Sequence, residues 1–139
     1  MPKFFILEDS PQRMSHFTHA FGRDNIVHKD NAAEFIAALE ADALNSDPID
    51  VILLDNDLSS GSGGFALKNT GYDVARWMVD NQVDVKLVVV HTMDIVTGDE
   101  MVWRLKYEGY NVQRVPFVEM NFEGDLKEGL LSVANMTDE

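Results

Sequence analysis

Residues 51–58 read Val51-Ile52-Leu53-Leu54-Asp55-Asn56-Asp57-Leu58, four apolar side chains in a row followed at once by acidic ones. An uninterrupted apolar run is typical of a strand that is covered on both faces, whereas a half-exposed strand alternates. Residues 4–7 and 87–90 have the same character, and residues 25–28 and 111–115 are weaker members of the series. The pattern predicts five strands of one parallel sheet.

Segments with helical periodicity lie between these runs. Ser10-Pro11 predicts the start of the first helix, with Ser10 as N-cap and Pro11 at the first helical position, and Gly22 predicts its end. Asn31 is expected to cap the second helix. Three more helices are predicted from apolar residues within 72–78, 101–105 and 126–133. Trp77 and Trp103 have apolar neighbours and are expected to pack in the core.

The alternation of strands and helices predicts an α/β fold, a single (βα)5 doubly wound parallel five-stranded sheet of the flavodoxin-like type. A chain of 139 residues is expected to form one domain over 1–139, with a C-terminal helix and an acidic tail in 119–139. One long loop, residues 59–70, interrupts the regular alternation.

Composition excludes several classes of function. The net charge of −13 argues against tracking along duplex nucleic acid and against docking on an anionic membrane. The chain contains no cysteine, so a disulfide framework, a thiolate zinc site and a cysteine nucleophile are excluded. We find no signal peptide and no apolar stretch long enough to span a membrane, and we expect a cytoplasmic protein.

Acidic side chains follow the predicted strands at their carboxyl ends, where open α/β sheets bind ligands. Glu8 and Asp9 follow the first strand, Asp55 and Asp57 follow the third, and His91 follows the fourth. If the first and third strands are neighbours, Glu8, Asp9 and Asp55 converge on one crevice. Converging carboxylates need neutralisation, and Mg²⁺ prefers carboxylate oxygens together with water and a phosphate. The sequence therefore predicts a Mg²⁺ (or Mn²⁺) site that handles a phosphoryl group.

The first and third strands, Phe5-Ile6-Leu7-Glu8-Asp9 and residues 51–58, resemble those of a response-regulator receiver (CheY-like) domain over about residues 4–118. This resemblance implies that Asp55 accepts a phosphoryl group and that Glu8 and Asp9 hold the metal with Asp57. It also implies that Thr92 occupies the family's hydroxyl position. Receivers carry a lysine before a proline after strand five, but here Val115 precedes Pro116, with Arg114 beside it.

A closer resemblance is to the cyclic-phosphate-processing receiver domains. Four motifs occur in the order of that family: Leu7-Glu8-Asp9 followed by Arg13, Leu54-Asp55-Asn56-Asp57-Leu58, Asn69-Thr70-Gly71-Tyr72, and His91-Thr92-Met93-Asp94. Asn56 stands where the family has a histidine, and Asp94 where it has an asparagine. The resemblance implies a metal-dependent phosphoesterase acting on cyclic or terminal phosphates. In that enzyme Asp55, His91 and Thr92 are the expected catalytic residues, and Arg13 and Thr70 the expected phosphate ligands.

Three functions remain open at this point. The first is the phosphoesterase, whose ligand is a small phosphate-containing compound or an RNA end. The second is a phosphoacceptor receiver in which Asp55 is phosphorylated and Thr92 senses the change. The third is a catalytically inactive acidic module that binds a protein partner, and the charge and Asn56 favour it.

Overall fold

The computed structural model describes residues 3–44, 48–56 and 70–116. Within them the chain forms strands and helices in strict alternation. These elements are β1 (Phe4–Leu7), α1 (Pro11–Phe21), β2 (Ile26–Lys29), α2 (Ala32–Asp42), β3 (Ile49–Leu54), α3 (Gly71–Asp80), β4 (Val85–Val90), α4 (Ile95–Tyr107) and β5 (Val112–Arg114). The predicted last helix, most of the loop 59–70 and Asp57 lie outside the described residues.

The helix ends follow from local side-chain chemistry. Ser10 accepts a hydrogen bond from the backbone N–H of Arg13 and Pro11 opens α1, as predicted. Asn31 caps α2 by accepting from the N–H of Glu34. Thr70 and Asp73 form a reciprocal capping box at the start of α3. Because each cap fixes where its helix begins, Ser10 and Asn31 also fix the short turns that follow β1 and β2.

The strands form one parallel sheet in the order β2-β1-β3-β4-β5, and the predicted fold class is confirmed. The register pairs Leu7 with Leu54 and Leu54 with Val90, so β1, β3 and β4 end at the same level. The order of strands along the chain reverses between β1 and β3. The carboxyl ends of these two strands therefore border the crevice in which such sheets bind ligands.

Side chains of the central strands alternate between two buried clusters, one on each face of the sheet. Phe5, Leu7, Ile52 and Leu54 pack with α2, α3 and α4 on one face. The alternate residues of the same strands pack with α1 on the other, around Phe17. Both faces of β1 and β3 are fully covered, which is why their sequences read as continuous apolar runs.

The prediction for Trp103 is wrong. Trp77 is half-buried against the cluster on the α3 face, as expected. Trp103, however, is 66% exposed and stacks on Tyr107, with ring centroids 5.4 Å apart. The buried positions of α4 are Gly98, Met101 and Leu105, whose spacing places Trp103 on the opposite side of the helix. Among the described helices, none is long and apolar enough to cross a membrane.

Candidate functional site

Three side chains from separate strand ends meet at the carboxyl edge of the sheet. Glu8 follows β1, Asp55 follows β3 and His91 follows β4. One ligand atom from each of the three lies within 4.8 Å of the other two. All three residues are buried, with exposed fractions of 0%, 3% and 0%. The matched ends of the three strands bring these residues together, although they are far apart in the sequence.

Glu8 and His91 form a buried pair. Nε2 of His91 lies 3.0 Å from Oε1 of Glu8, and the backbone N–H of Ser10 donates to the other carboxylate oxygen at 3.0 Å. When Glu8 is ionised its carboxylate only accepts, and Nε2 is then the donor of this hydrogen bond. Nδ1 has no hydrogen-bond partner among the described residues. The imidazole packs edge-on against the Phe17 ring, with ring centroids 5.4 Å apart. The pair fixes both the Glu8 carboxylate and the imidazole.

Asp55 is the carboxylate whose ionisation the fold opposes. Its pKa is raised from 3.8 to about 6 as the net result of several effects: burial raises the pKa most, the His91 imidazole lowers it, and the Glu8 carboxylate raises it. The backbone N–H of Asn56 donates to Oδ1 of Asp55 at 2.8 Å and favours the ionised form. The guanidinium of Arg13 acts in the same direction. Burial is the largest of these effects, so the neighbouring positive charges and hydrogen bonds do not offset the cost of burying an ionised Asp55.

Arg13 connects the two carboxylates. It lies in the first turn of α1, and one of its terminal nitrogens is 3.9 Å from Oε1 of Glu8 and 3.8 Å from Oδ2 of Asp55. Its side chain is 32% exposed, whereas those of Glu8 and Asp55 are 0% and 4% exposed. Arg13 is therefore the cation of the site and lies on its solvent side.

Asn56 joins the end of β3 to the start of α3. Its side-chain oxygen accepts a hydrogen bond from the backbone N–H of Tyr72 at 3.1 Å, and its carbonyl accepts from the N–H of Gly71 at 3.3 Å. A Cβ at Gly71 would lie 1.9 Å from the Asp55 carbonyl oxygen, so only glycine allows this approach. The sequence did not indicate this role for Asn56, because Asn56 and Tyr72 are 16 positions apart and meet only in the fold.

The other predicted site residues are placed differently. Asp9 is not a member of the group of three and lines a groove between α1 and β2 together with Met14 and His28. Thr92 is fully buried, and its hydroxyl accepts a hydrogen bond from the Asp94 N–H at 3.2 Å. The Thr70 hydroxyl donates to the Asp73 carboxylate at 2.7 Å within the capping box. The hydroxyls of Thr70 and Thr92 are therefore both engaged in hydrogen bonds within their own turns.

Arg114 forms hydrogen bonds with the turn after β4, and the sequence did not predict this contact. Its terminal nitrogen donates to the carbonyl oxygens of Thr92 at 2.8 Å and of Asp94 at 3.4 Å. Gly98 of α4 gives the guanidinium its space, since a Cβ there would lie 2.4 Å from Nε. Alternation in β5 turns Arg114 away from the side of Val115, as expected. Arg114 thus fixes the turn that begins with His91.

Gly98→Ala is expected to lower the free energy of unfolding by about 1 kcal/mol, because overpacking of a buried site outweighs the gain in helix propensity from alanine. The guanidinium of Arg114 must move and release the Thr92 carbonyl. Urea unfolding of the variant measures the loss. Gly98→Ala combined with Arg114→Met should recover part of it, and an unchanged midpoint in the single variant would contradict the close packing at Gly98.

The donor set at the edge fits a divalent cation. When both carboxyl groups are ionised, two negative charges face the single guanidinium of Arg13. Carboxylate oxygens suit Mg²⁺ and Mn²⁺, and imidazole nitrogen is a common ligand of transition metals. Glu8 and Asp55 are the residues that would hold the ion, with His91 either as a third ligand or as the group that orients Glu8.

Comparisons with known proteins agree with this fold. A family model described as the cyclic-phosphate processing receiver domain matches residues 6–107. No match is found among curated proteins. Mn²⁺-bound response regulator Rcp1 is similar in structure, with a TM-score of 0.56, 14% identity, and coverage of 96% of this chain and 90% of that chain.

Two further solved structures share the fold at similarly low identity. A receiver domain protein from Clostridium thermocellum has a TM-score of 0.57 and 14% identity over 97% of this chain and 95% of its own. CheY in a CheX-CheY-BeF3-Mg complex from Borrelia burgdorferi has a TM-score of 0.57 and 14% identity over 95% and 85%. At these identities the structures bear on the fold alone.

Proposed function

Because the chain belongs to the cyclic-phosphate processing receiver domain family, we propose that its edge site binds a divalent cation, Mg²⁺ or Mn²⁺, and acts on a cyclic or terminal phosphate. The observation that carries the proposal is the meeting of Glu8, Asp55 and His91 within 4.8 Å at the switch point of the sheet. A small nucleotide or an RNA end is the class of ligand. Both present a phosphate group, the partner that Mg²⁺ prefers beside carboxylate ligands.

In this proposal Glu8 and Asp55 hold the cation, and Asp57 is a further metal ligand, as proposed for the family. A bound divalent cation neutralises phosphate charge and lowers the pKa of bound water. Hydrolysis of a 2′,3′-cyclic phosphate adds a water oxygen to phosphorus and breaks one ribose oxygen–phosphorus bond. The proton lost by water and the proton gained by the leaving oxygen need a group that titrates near neutrality.

His91 is the proposed proton carrier. Its Nδ1 has no hydrogen-bond partner among the described residues, and the hydrogen bond between its Nε2 and Glu8 orients the ring. An imidazole suits acid/base exchange near neutral pH. Asn56, which stands at the family's histidine position, has its side-chain oxygen committed to the Tyr72 N–H. Proton transfer therefore falls to His91 rather than to residue 56, and Asp55 acts as a metal ligand.

Turnover of a 2′,3′-cyclic nucleotide with Mn²⁺ or Mg²⁺ tests this function. His91→Ala is expected to lower kcat by about 100-fold or more, the usual contribution of a positioned acid/base group. Asp55→Asn removes a charged ligand of the cation and is expected to lower kcat at least as much. His19→Ala is the matched control, because His19 is an exposed histidine in the last turn of α1. Turnover that survives both site substitutions, or that is equally lost in His19→Ala, would reject the assignment.

The phosphoacceptor alternative predicts a different product. If Asp55 accepts a phosphoryl group, acetyl phosphate should leave a covalent adduct detectable by intact-protein mass spectrometry, and Asp55→Asn should abolish that adduct. If the chain hydrolyses cyclic phosphates, the product is released. A protein that neither turns over nor forms the adduct, yet binds a partner protein, would support the inactive binding module.

A further inference from the structure

The Arg13 guanidinium faces the same two carboxylates that would hold a metal ion. Its terminal nitrogen lies 3.9 Å from Glu8 and 3.8 Å from Asp55, so a single positive charge faces both carboxylates. Both distances exceed the length of a charge-assisted hydrogen bond, which is about 2.7–2.9 Å. The guanidinium therefore acts on these two carboxylates mainly through its charge, and its contacts with them are loose.

A divalent cation and the Arg13 guanidinium would compete for the same oxygens. A metal ion coordinated by Glu8 and Asp55 would place its two positive charges next to the guanidinium, and like charges at such distances repel strongly in a buried site. The Arg13 side chain can leave, because it is 32% exposed, long and flexible. Its backbone stays in place, since the N–H of Arg13 donates to the Ser10 cap at 3.3 Å.

We propose that Arg13 is a built-in counter-ion that exchanges between the carboxylates and the phosphate. Without metal, the guanidinium neutralises Glu8 and Asp55. When Mg²⁺ or Mn²⁺ binds, the guanidinium is displaced towards solvent and becomes available to bind the phosphate of the ligand as a bidentate donor. This inference rests on the proposed function and adds a coupling to it, because metal binding frees the residue that binds the phosphate.

The exchange couples the two ligands. Metal binding releases the phosphate-binding group, so metal should tighten phosphate binding, and by linkage phosphate should tighten metal binding equally. In the exchange, Arg13 weakens metal binding because the metal must displace its guanidinium from the carboxylates. A guanidinium that bound only the phosphate would not lower the metal affinity in this way. The sign of the effect of Arg13 on metal affinity alone therefore separates an exchanging residue from a simple phosphate ligand.

Isothermal titration with Mn²⁺ alone, on the full chain, tests the first step. Arg13→Gln is expected to bind Mn²⁺ about tenfold more tightly than wild type, the size of effect that a charge at this distance has on a carboxylate. Arg13→Lys keeps the charge and should bind close to the wild-type affinity. Arg23→Gln is the matched control, since Arg23 is an exposed arginine just beyond the other end of α1, and it should change the affinity less than about twofold.

Titration with orthophosphate at saturating Mn²⁺ tests the second step. Wild type should bind phosphate more tightly with Mn²⁺ than without, and Arg13→Gln should lose most of that gain despite its tighter metal binding. Mn²⁺ binding by Arg13→Gln that is unchanged or weaker would overturn the exchange and leave the metal site standing. Unaltered phosphate binding in that variant would also overturn it. Failure of both proteins to bind Mn²⁺ or Mg²⁺ would reject the metal site itself, and the exchange with it.

Discussion

Asp55→Asn is expected to stabilise the metal-free protein by about 3 kcal/mol near pH 8. The pKa of Asp55 is raised from 3.8 to about 6, a shift of about two pKa units, and each unit corresponds to about 1.4 kcal/mol. The Asp55 side chain is almost fully buried, so solvent screens this cost little. Asparagine has the same shape, carries no charge and can still accept the hydrogen bond from the Asn56 N–H.

The pH dependence of this effect has a definite sign. Because the pKa of Asp55 is higher in the folded chain, the protonated carboxyl stabilises the fold fully below about pH 3.8, and this contribution is lost as the pH rises through about 6. The difference between Asp55→Asn and wild type should therefore be small at acidic pH and largest above pH 6. Urea unfolding at acidic and at mildly alkaline pH measures both ends of this range.

A divalent cation should reverse the order of stability. Mg²⁺ or Mn²⁺ that binds the folded wild type adds a stability that grows with the logarithm of the free metal concentration above Kd, whereas Asp55→Asn has lost a charged ligand and should gain little. Asp50→Asn is the matched control. Asp50 is nearly as buried, but it pairs with Lys86 at 3.0 Å and accepts the N–H of Lys3 at 2.7 Å.

The same chemical change should therefore destabilise the protein at Asp50, by about 1 kcal/mol. If Asp55→Asn is no more stable than wild type near pH 8 without metal, the buried carboxylate is better compensated than its described neighbours indicate. If Asp50→Asn is stabilised to the same extent, the gain at Asp55 reflects the net charge of −13 and not the site.

The fold was predictable because its signals are local. Continuous apolar runs in β1 and β3 indicate strands buried on both faces, and Ser10 and Asn31 indicate helix starts through their own hydrogen bonds. Trp103 was misplaced because α4 carries apolar residues on more than one side, and periodicity alone does not say which side meets the sheet. The side that meets the sheet carries Gly98, Met101 and Leu105, and the contact of Gly98 with Arg114 of β5 is not visible in the local sequence.

The site was predictable only at the level of strand ends. The sequence indicated that Glu8, Asp9, Asp55 and His91 lie at one edge, but two adjacent residues after a strand point in different directions. The structure selects Glu8 for the group and leaves Asp9 towards the groove beside α1. The Glu8–His91 bond joins residues 83 positions apart, so its existence depends on the register of β1, β3 and β4. Nothing local in either motif specifies it.

Gly71→Ala is expected to be among the most damaging small substitutions in the described part of the chain. A Cβ at this position would lie 1.9 Å from the Asp55 carbonyl oxygen and 2.8 Å from its carbonyl carbon. Both are backbone atoms, so no side chain can rotate out of the way. Relief requires α3 to move from the end of β3, which breaks the bonds from Gly71 and Tyr72 to Asn56.

The expected cost is about 3 kcal/mol or more, at the upper end of overpacking effects. Gly109→Ala separates this steric effect from the loss of glycine itself. Gly109 has a φ of 95°, but an added Cβ there meets nothing within 4 Å, so its cost should be about 1 kcal/mol from backbone strain alone.

Because Gly71 touches the residue that would hold the metal, Gly71→Ala should also weaken Mn²⁺ binding, whereas Gly109→Ala should not. Equal losses in the two variants, with equal metal affinity, would show that the contact between α3 and Asp55 does not shape the site.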